Sequence, residues 1–239
     1  MFFQAVLLAF ALIPSSLGQI AEGFENGWDQ KAWPIYTGGC NQGGTVSLDS
    51  STAHSGSNSI KVVAGASGYC GHAFFGTTNN IPKGDIYVRV YLKALKALTQ
   101  NHISLIIMPD SSQGSNKHLR IGGQDKVLTY NRESDDAVLP DLSSQGIATS
   151  VALPTGVWQC FEYHVSSDGT IETWLEGKAI PGLTVVKSGT NTHASIWGKN
   201  YKPIIGGVYF GWEAYGGDAN TFWYDDIAIG PSRPGCLGS

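Results

Sequence analysis

The chain has 239 residues, a formal net charge of −4, and charged side chains at only 14% of its positions. The negative balance and the lack of a basic run argue against nucleic acid or an anionic membrane as a partner. Few charges with many glycines and aromatic residues are typical of an extracellular β protein that binds carbohydrate, although a large β core would give the same composition. We expect one domain and a monomer.

The first segment has the pattern of a secretory signal peptide. Residues 2–14 are apolar apart from Gln4, and small residues follow up to Gly18. That run is too short to cross a bilayer, and no later run is long enough. We expect residues 1–18 to be removed and residues 19–239 to form a single secreted, extracellular domain.

Four cysteines follow this segment, and an even number in a secreted chain predicts disulfides. Three pairings are possible. We favour Cys40–Cys70 and Cys160–Cys236, which would close a local loop and attach the C-terminal segment to the domain. Each would contribute about 2–4 kcal/mol. No cysteine is left over for catalysis, and no Cys-x-x-Cys spacing indicates zinc.

Strand-like runs recur along the chain between Gly, Asn, Asp and Pro. Asp168-Gly169 predicts a hairpin turn, because this pair adopts positive φ at low cost. Many short strands with turns between them predict an all-β fold, a β-jelly-roll sandwich with a concave substrate groove. The predicted strands are residues 59–64, 85–92, 103–108, 118–121, 127–130, 158–165, 170–175, 208–212 and 221–229.

The predicted strand at residues 118–121 carries an informative alternation. Residues i and i+2 of a strand share a face, so His118 and Arg120 point one way. Leu119 and Ile121 then point into the opposite, apolar layer. The polar face of this strand therefore places an imidazole beside a guanidinium.

These residue types suit cleavage of a uronic-acid polymer by β-elimination. The C5 proton becomes removable when the neighbouring carboxylate is neutralised, which the fork of an arginine does well with help from glutamine. A His or Tyr can take the proton, and another can protonate the departing oxygen. Asp136 could hold His118 or Arg120 in place. The alternative is that these side chains only decorate a solvated sheet face. The candidate catalytic residues are His102, His118, Arg120, Gln124, Asp136 and Tyr215.

Two weaker patterns also point to carbohydrate. A glycoside hydrolase needs two carboxylates, and Glu162 and Glu172 lie on adjacent strands of the predicted hairpin, but nothing singles them out. Trp197 and Tyr201 lie in a loop with Gly and Asn, and we expect them to be exposed platforms for sugar rings.

Hard oxygen ligands near both ends of the domain indicate a Ca²⁺ site. Glu25 lies near the start of the domain, and Asp225 and Asp226 lie in the last predicted strand. The loop at residues 54–58 offers carbonyl and amide oxygens. An ion held by these groups would tie the two ends together and would be structural. The alternative is that they are surface charges at strand ends.

Three segments resemble a secreted fungal family of cellulose-induced jelly-roll proteins. They are HLRIGGQ at 118–124, NRESDDAVLPDLS at 131–143 and VYFGWEAYGGDANTFWYDDIAIG at 208–230. That family is related in structure to the glucuronan lyases of polysaccharide lyase family 20, and more remotely to alginate lyases. The resemblance covers the whole chain after the signal peptide.

The resemblance implies a jelly roll with a groove formed by the six candidate residues above and with the two favoured disulfides. It also implies a structural Ca²⁺ bound by Glu25, Ser55, Asn58 and Asp226. The expected function is a polysaccharide lyase, a carbon–oxygen lyase acting on a glucuronan-like polymer. The alternative is a non-catalytic carbohydrate-binding protein of the plant or fungal cell wall on the same scaffold.

Overall fold

The fold was obtained as a computed structural model. It describes residues 19–38, 43–65, 72–187, 191–197 and 201–238. The predicted signal peptide and the Cys40–Cys70 pair lie outside these residues.

Nearly all of the regular structure is β. Short helical segments are limited to α1 at Ser144–Ile147 and 3₁₀ turns at Ser111–Gln113, Pro181–Leu183 and Thr192–Ala194. The strands are β1 Ile20–Glu22, β2 Thr45–Asp49, β3 Ser59–Val63, β4 Ala73–Thr77, β5 Asp85–Ala94, β6 Ile103–Pro109, β7 His118–Gln124, β8 Val127–Arg132, β9 Ala137–Leu139, β10 Gln159–Ser166, β11 Ile171–Leu175, β12 Lys178–Ala179, β13 Val208–Ala214 and β14 Thr221–Gly230.

Every strand predicted from the sequence is present, although its ends differ by a few residues. The predicted hairpin joins β10 to β11, and Gly169 in its turn has a φ of 93°. The short strands β1, β2, β4, β9 and β12 were not predicted, although β2, Thr45–Asp49, alternates polar and apolar residues.

The strands form two antiparallel sheets. The eight-stranded sheet has the order β12-β11-β10-β5-β14-β3-β2, with β1 paired to β14. The six-stranded sheet has the order β4-β13-β6-β7-β8-β9. Strands that are neighbours in a sheet are often distant in sequence, as expected of a jelly-roll sandwich. No helix in the described part of the chain is both long and apolar enough to cross a membrane.

The core fills the space between the sheets, and β7 shows how the sequence directs it. Leu119 and Ile121 are at most 1% exposed and pack in this core, as their spacing predicted. His118 and Arg120 therefore lie on the outer face of the six-stranded sheet. Burial of one aliphatic side chain contributes roughly 1.5–3 kcal/mol. A shift of register that exposed Leu119 and Ile121 to solvent would therefore be costly.

The expectation that Trp197 and Tyr201 are exposed platforms is wrong. Trp197 is 1% exposed, and its indole nitrogen donates to the Val138 carbonyl at 3.1 Å. Tyr201 is 8% exposed, and its hydroxyl donates to the Asp110 carboxylate at 2.7 Å. Both rings belong to the hydrophobic core, which Gly and Asn neighbours in the sequence do not reveal.

Candidate functional site

The outer face of the six-stranded sheet contains a cavity of about 340 Å³. Its walls combine imidazole, guanidinium, carboxylate and phenol groups, a mixture suited to proton transfer on a polar ligand. We call it the sheet cavity. The residues that line it are Tyr36, Gly38, His72, Phe74, Ile107, Asn116, His118, Arg120, Glu133, Glu213 and Tyr215.

A tight hairpin positions one wall of the sheet cavity. Strands β7 and β8 are joined by Asp125 and Lys126, whose φ values of 52° and 69° identify a two-residue turn. The resulting register pairs Leu119 with Arg132 and continues to Glu133, whose amide donates to the His118 carbonyl at 3.1 Å. Glu133 therefore lies directly across from His118.

Glu133 holds both side chains that the β7 alternation singled out. One carboxylate oxygen is 2.7 Å from Nδ1 of His118, and the other is 2.9 Å from Nη2 of Arg120. Burial alone would raise the pKa of Glu133, but the hydrogen bond from His118 and the charge of Arg120 lower it below its ordinary value. The carboxylate is therefore ionised at neutral pH and fixes the imidazole and the guanidinium side by side.

The second ring nitrogen of His118 is also engaged. Its Nε2 lies 2.9 Å from the hydroxyl of Tyr36. Tyr36 belongs to a segment that runs beside β4, where its amide donates to the Phe74 carbonyl at 2.8 Å. Its ring packs on Tyr209 with 4.9 Å between centroids, and burial raises its pKa.

Tyr215 and His102 form a stacked pair next to Arg120. Their rings are 5.2 Å apart and nearly parallel, and the Arg120 guanidinium lies 5.6 Å from the Tyr215 ring centre. Burial, followed by the charge of Arg120, lowers the pKa of His102, so its imidazole is neutral at neutral pH. Burial and the charge of Glu213 raise the pKa of Tyr215, against the effect of Arg120, which keeps its phenol protonated.

A second imidazole–carboxylate contact lines the cavity. Nδ1 of His72 lies 3.6 Å from a carboxylate oxygen of Glu213. Lys117 lies 3.8 Å from Glu133 at the edge of the cavity. With neutral imidazoles, the cations Arg120 and Lys117 then face the anions Glu133 and Glu213. The fixed charges of the cavity therefore nearly cancel.

The structure brings some of the predicted residues together and separates others. His118, Arg120 and Tyr215 line the sheet cavity, and His102 contacts it through Tyr215. Gln124 is at the far end of β7, roughly 13 Å along the strand from Arg120, and does not line the cavity.

Asp136 does not fill the role expected of it. It is exposed in the turn between β8 and β9, at a φ of 53°, and Glu133 is the residue that holds His118 and Arg120. Asp136 acts on the site only at a distance, because its charge raises the pKa of His102 against the stronger effects of burial and Arg120.

Four titratable residues of the cavity were not among the candidates predicted from the sequence. Glu133 could have been found from the register of the two-residue turn, which places it opposite His118. Tyr36, His72 and Glu213 come from distant segments, and no local pattern marks them.

The residues expected to bind Ca²⁺ surround the loop at residues 54–58. The Asp226 carboxylate accepts from the Ser55 hydroxyl at 2.9 Å and lies 2.6 Å from Nδ1 of His54. The Glu25 carboxylate accepts from the backbone amides of Ser57 and Asn58, at 2.9 Å in each case. Carboxylate and hydroxyl oxygens from three separate segments therefore lie around one loop, and they are ligand types that a hard cation prefers.

Asp225 adds negative charge beneath this loop. A β-bulge in β14, where Asp226 has a φ of 45°, lets both neighbouring aspartates face the loop instead of alternating. Asp225 is fully buried, and burial, with the Asp226 charge adding to it, raises its pKa to about 6.

A larger groove, of about 760 Å³, lies on the outer face of the eight-stranded sheet. Within it, Glu162 binds the C-terminal segment: it accepts from Arg233 at 2.6 Å and from the Gly235 amide at 2.9 Å. Cys160 and Cys236, beside Glu162, form the predicted disulfide. These three residues are the one close group of metal-ligating types in the described chain, but the disulfide removes both thiols as ligands.

Comparison with known proteins agrees with the fold and the family. A family model described as "Polysacc_lyase-like: Cip1-like, core domain" matches residues 23–232. The solved structure of "Cellulose induced protein, Cip1" has 61% identity and a TM-score of 0.87, covering 91% of this chain and 99% of that chain. A comparison with curated protein sequences gave no match.

Two more distant structures share the fold. An endo-β-1,4-glucuronan lyase from the fungus Trichoderma reesei has 16% identity and a TM-score of 0.57, covering 89% of this chain and 95% of that chain. Domain 4 of AbnA, a GH43 extracellular arabinanase from Geobacillus stearothermophilus, in complex with arabinotriose, has 12% identity and a TM-score of 0.52, covering 88% and 90%. Since the family model spans residues 23–232, the chain belongs to the Cip1-like core-domain family of polysaccharide lyase-like proteins.

Proposed function

We propose that this protein is a secreted polysaccharide lyase that cleaves a uronic-acid polymer of the glucuronan type by β-elimination. One observation carries the proposal. Arg120 lies in an open cavity between a neutral imidazole–phenol pair, His102 and Tyr215, and the imidazole of His118. A guanidinium next to proton-transfer groups is what an elimination beside a carboxylate requires.

Arg120 would stabilise the negative charge that develops on the substrate carboxylate. Glu133 accepts from Nη2 of the guanidinium and fixes its orientation. Among the described residues Nε has no partner, but it is enclosed, so the substrate carboxylate would meet the remaining Nη donors. Gln124, at the far end of β7, would contact a more distant sugar of the chain rather than the same carboxylate.

The imidazoles and phenols around Arg120 would move the protons. His102 is neutral at neutral pH, so its imidazole can accept a proton, and the protonated Tyr215 can donate one to the departing glycosidic oxygen. Tyr215 is 39% exposed, which places it at the mouth of the cavity, where a polymer can reach it.

A conservative change at Arg120 tests this proposal. The purified protein is mixed with glucuronan, alginate, pectin and xylan, and the ultraviolet absorbance of unsaturated uronate is followed. We expect absorbance to rise with glucuronan and Arg120→Lys to lower the rate by about 10²–10³-fold, because lysine keeps the charge beside Glu133 but loses the fork.

Arg132→Lys is the matched control. Arg132 is a guanidinium on the neighbouring strand β8, but it pairs with Asp135 at 2.6 Å and lies outside the sheet cavity. Its variant should keep the wild-type rate. An Arg120→Lys protein with wild-type activity would count against the proposal, as would the absence of absorbance on every polymer.

The near-balance of charge favours a second candidate, a non-catalytic carbohydrate-binding protein. A guanidinium already paired with Glu133 attracts a uronate less strongly than a free one, so a neutral sugar chain could also fit. This alternative predicts saturable retention of the protein on a cell-wall polysaccharide with no change in polymer length. Chromatography of the polymer after a pull-down separates the two candidates.

We also propose a structural Ca²⁺ at the loop of residues 54–58. Glu25, Ser55, Asn58 and Asp226 would supply oxygen ligands, because their segments already meet there. The ion would offset the negative charge of the aspartates and join the start of the domain to its last strand. It would take no part in the elimination.

A further inference from the structure

Both ring nitrogens of His118 are occupied inside the protein. Glu133 lies 2.7 Å from Nδ1, and the Tyr36 hydroxyl lies 2.9 Å from Nε2. An imidazole with no free nitrogen cannot take a proton from a substrate carbon directly. The hydrogen bonds run from Glu133 through His118 to Tyr36, and the Tyr36 hydroxyl is the group at their end that lines the sheet cavity.

The direction of the hydrogen bonds follows from the charges. Glu133 is ionised and can only accept, so the Nδ1–H of His118 donates to it. With the ring proton on Nδ1, Nε2 accepts from the Tyr36 hydroxyl. The carboxylate–imidazole–hydroxyl order is the same as in a Ser-His-Asp triad, with a phenol in place of the serine.

The surroundings of Tyr36 hold its hydroxyl at the cavity wall. The ring packs on Tyr209 and meets His118 edge-on, with 5.7 Å between centroids. Gly38 lines the same wall, and a Cβ at that position would collide with the Tyr36 hydroxyl. Burial raises the pKa of Tyr36, so its phenol is protonated at rest and its oxygen becomes a strong base once the proton moves to His118.

We propose that Tyr36 is the catalytic base of the sheet cavity, activated by His118 and Glu133 as positioning residues. This inference rests on the lyase function proposed above and assigns its first proton transfer. It differs from direct action by His118, because the imidazole would touch the substrate only through the phenol.

The step balances as follows. Nε2 of His118 takes the phenolic proton while Glu133 stabilises the imidazolium, and the Tyr36 oxygen takes the C5 proton of the uronate. The C5–H electron pair forms the C4–C5 double bond, the C4–O bond breaks, and the leaving oxygen takes a proton from Tyr215. The proton on His118 then passes through water to the Tyr215 phenolate, which restores both groups.

The test removes one hydroxyl at a time. Tyr36→Phe keeps the ring packing and should lower kcat on glucuronan by about 10²–10⁴-fold with little change in KM. Tyr209→Phe is the matched control, since Tyr209 lies in the same aromatic cluster but does not line the cavity, and it should keep the wild-type kcat. Circular dichroism checks that both variants fold.

A double-mutant cycle separates a relay from a packing effect. If Glu133 acts through Tyr36, Glu133→Gln should lower kcat less in the Tyr36→Phe background than in the wild type, because only its effect on Arg120 remains there. Full additivity of the two changes, or an active Tyr36→Phe protein, would overturn the role of Tyr36 and leave the lyase function intact. A wild-type protein that is inactive on every uronate polymer would overturn both.

Discussion

Each outer sheet face holds a glutamate paired with an arginine, but the two pairs have different neighbours. On the six-stranded sheet, the partners of Glu133 are His118 and Arg120, and both line an open cavity. The carboxylate therefore orders side chains that can meet a ligand.

On the eight-stranded sheet, the hydrogen-bond partners of Glu162 belong to the C-terminal segment of the protein. Glu162 is fully buried and accepts from Arg233 and from the Gly235 amide, next to the Cys160–Cys236 disulfide. A glutamate–arginine pair thus orients cavity side chains on one face and attaches the C-terminal segment on the other. The neighbours of a buried ion pair, rather than the pair itself, decide which role it has.

The largest expected effect tests the fastening role. Cys160→Ser combined with Cys236→Ser opens a link between residues 76 apart in sequence, and should lower the free energy of unfolding by about 4 kcal/mol. Thermal unfolding should show a Tm lower by roughly 8–16 °C. The kcat at room temperature should not change, and a lost kcat would erase the contrast between the two faces.

Glu162→Gln should lower stability by about 3 kcal/mol, because it breaks a buried ion pair. The loss is at the lower end of the usual range, since the Arg233 side chain is 36% exposed and can be hydrated. Urea unfolding measures the change, and lyase activity should stay at the wild-type level. Equal stability of the variant and the wild type would contradict a fastening role.

Glu133→Gln is the mirror of that change. We expect kcat to fall by about 100-fold, or roughly 2.7 kcal/mol in the barrier, because His118 and Arg120 lose the carboxylate that orients them. The Glu133 side chain is 18% exposed and that of Glu162 only 1%, so water can replace part of the lost pair at Glu133 and the loss of stability should be smaller than for Glu162→Gln. The same two assays on both variants give the comparison, and the opposite ranking would reverse the roles.

Removal of the proposed Ca²⁺ should have a moderate effect. At an ion concentration about 100 times its Kd, binding adds roughly 2.7 kcal/mol, so a chelator should lower Tm by about 5–10 °C. Asp226→Asn should remove most of this response. A Tm that does not respond to chelator or added Ca²⁺ in the wild type would rule out a stabilising ion at the loop.

The smallest expected effect is at Gln124. Its side chain is outside the sheet cavity, so Gln124→Ala should lower kcat/KM on glucuronan by less than about threefold, or roughly 0.7 kcal/mol. Steady-state kinetics on long and short oligomers measures the change. A loss as large as that of Arg120→Lys would show that Gln124 reaches the reacting sugar.

The fold was predictable because its signals are local. Alternation placed Leu119 and Ile121 in the core and His118 and Arg120 on the outer face, and the structure agrees. Asp168-Gly169 likewise marked the hairpin between β10 and β11.

The rest of the site depends on contacts between distant segments. The Tyr36 hydroxyl reaches His118 although the two residues are 82 apart in sequence, and no local pattern encodes that contact. The burial of Trp197 was misjudged for the same reason, since its partners Tyr130 and Val138 come from other strands.

Mass spectrometry of the oligomers released from glucuronan by the wild-type protein tests the central claim most directly. Elimination at the Arg120 cavity predicts products with an unsaturated terminal uronate, each lighter by one water than the corresponding hydrolysis product. Saturated products, or a polymer of unchanged length, would contradict the account.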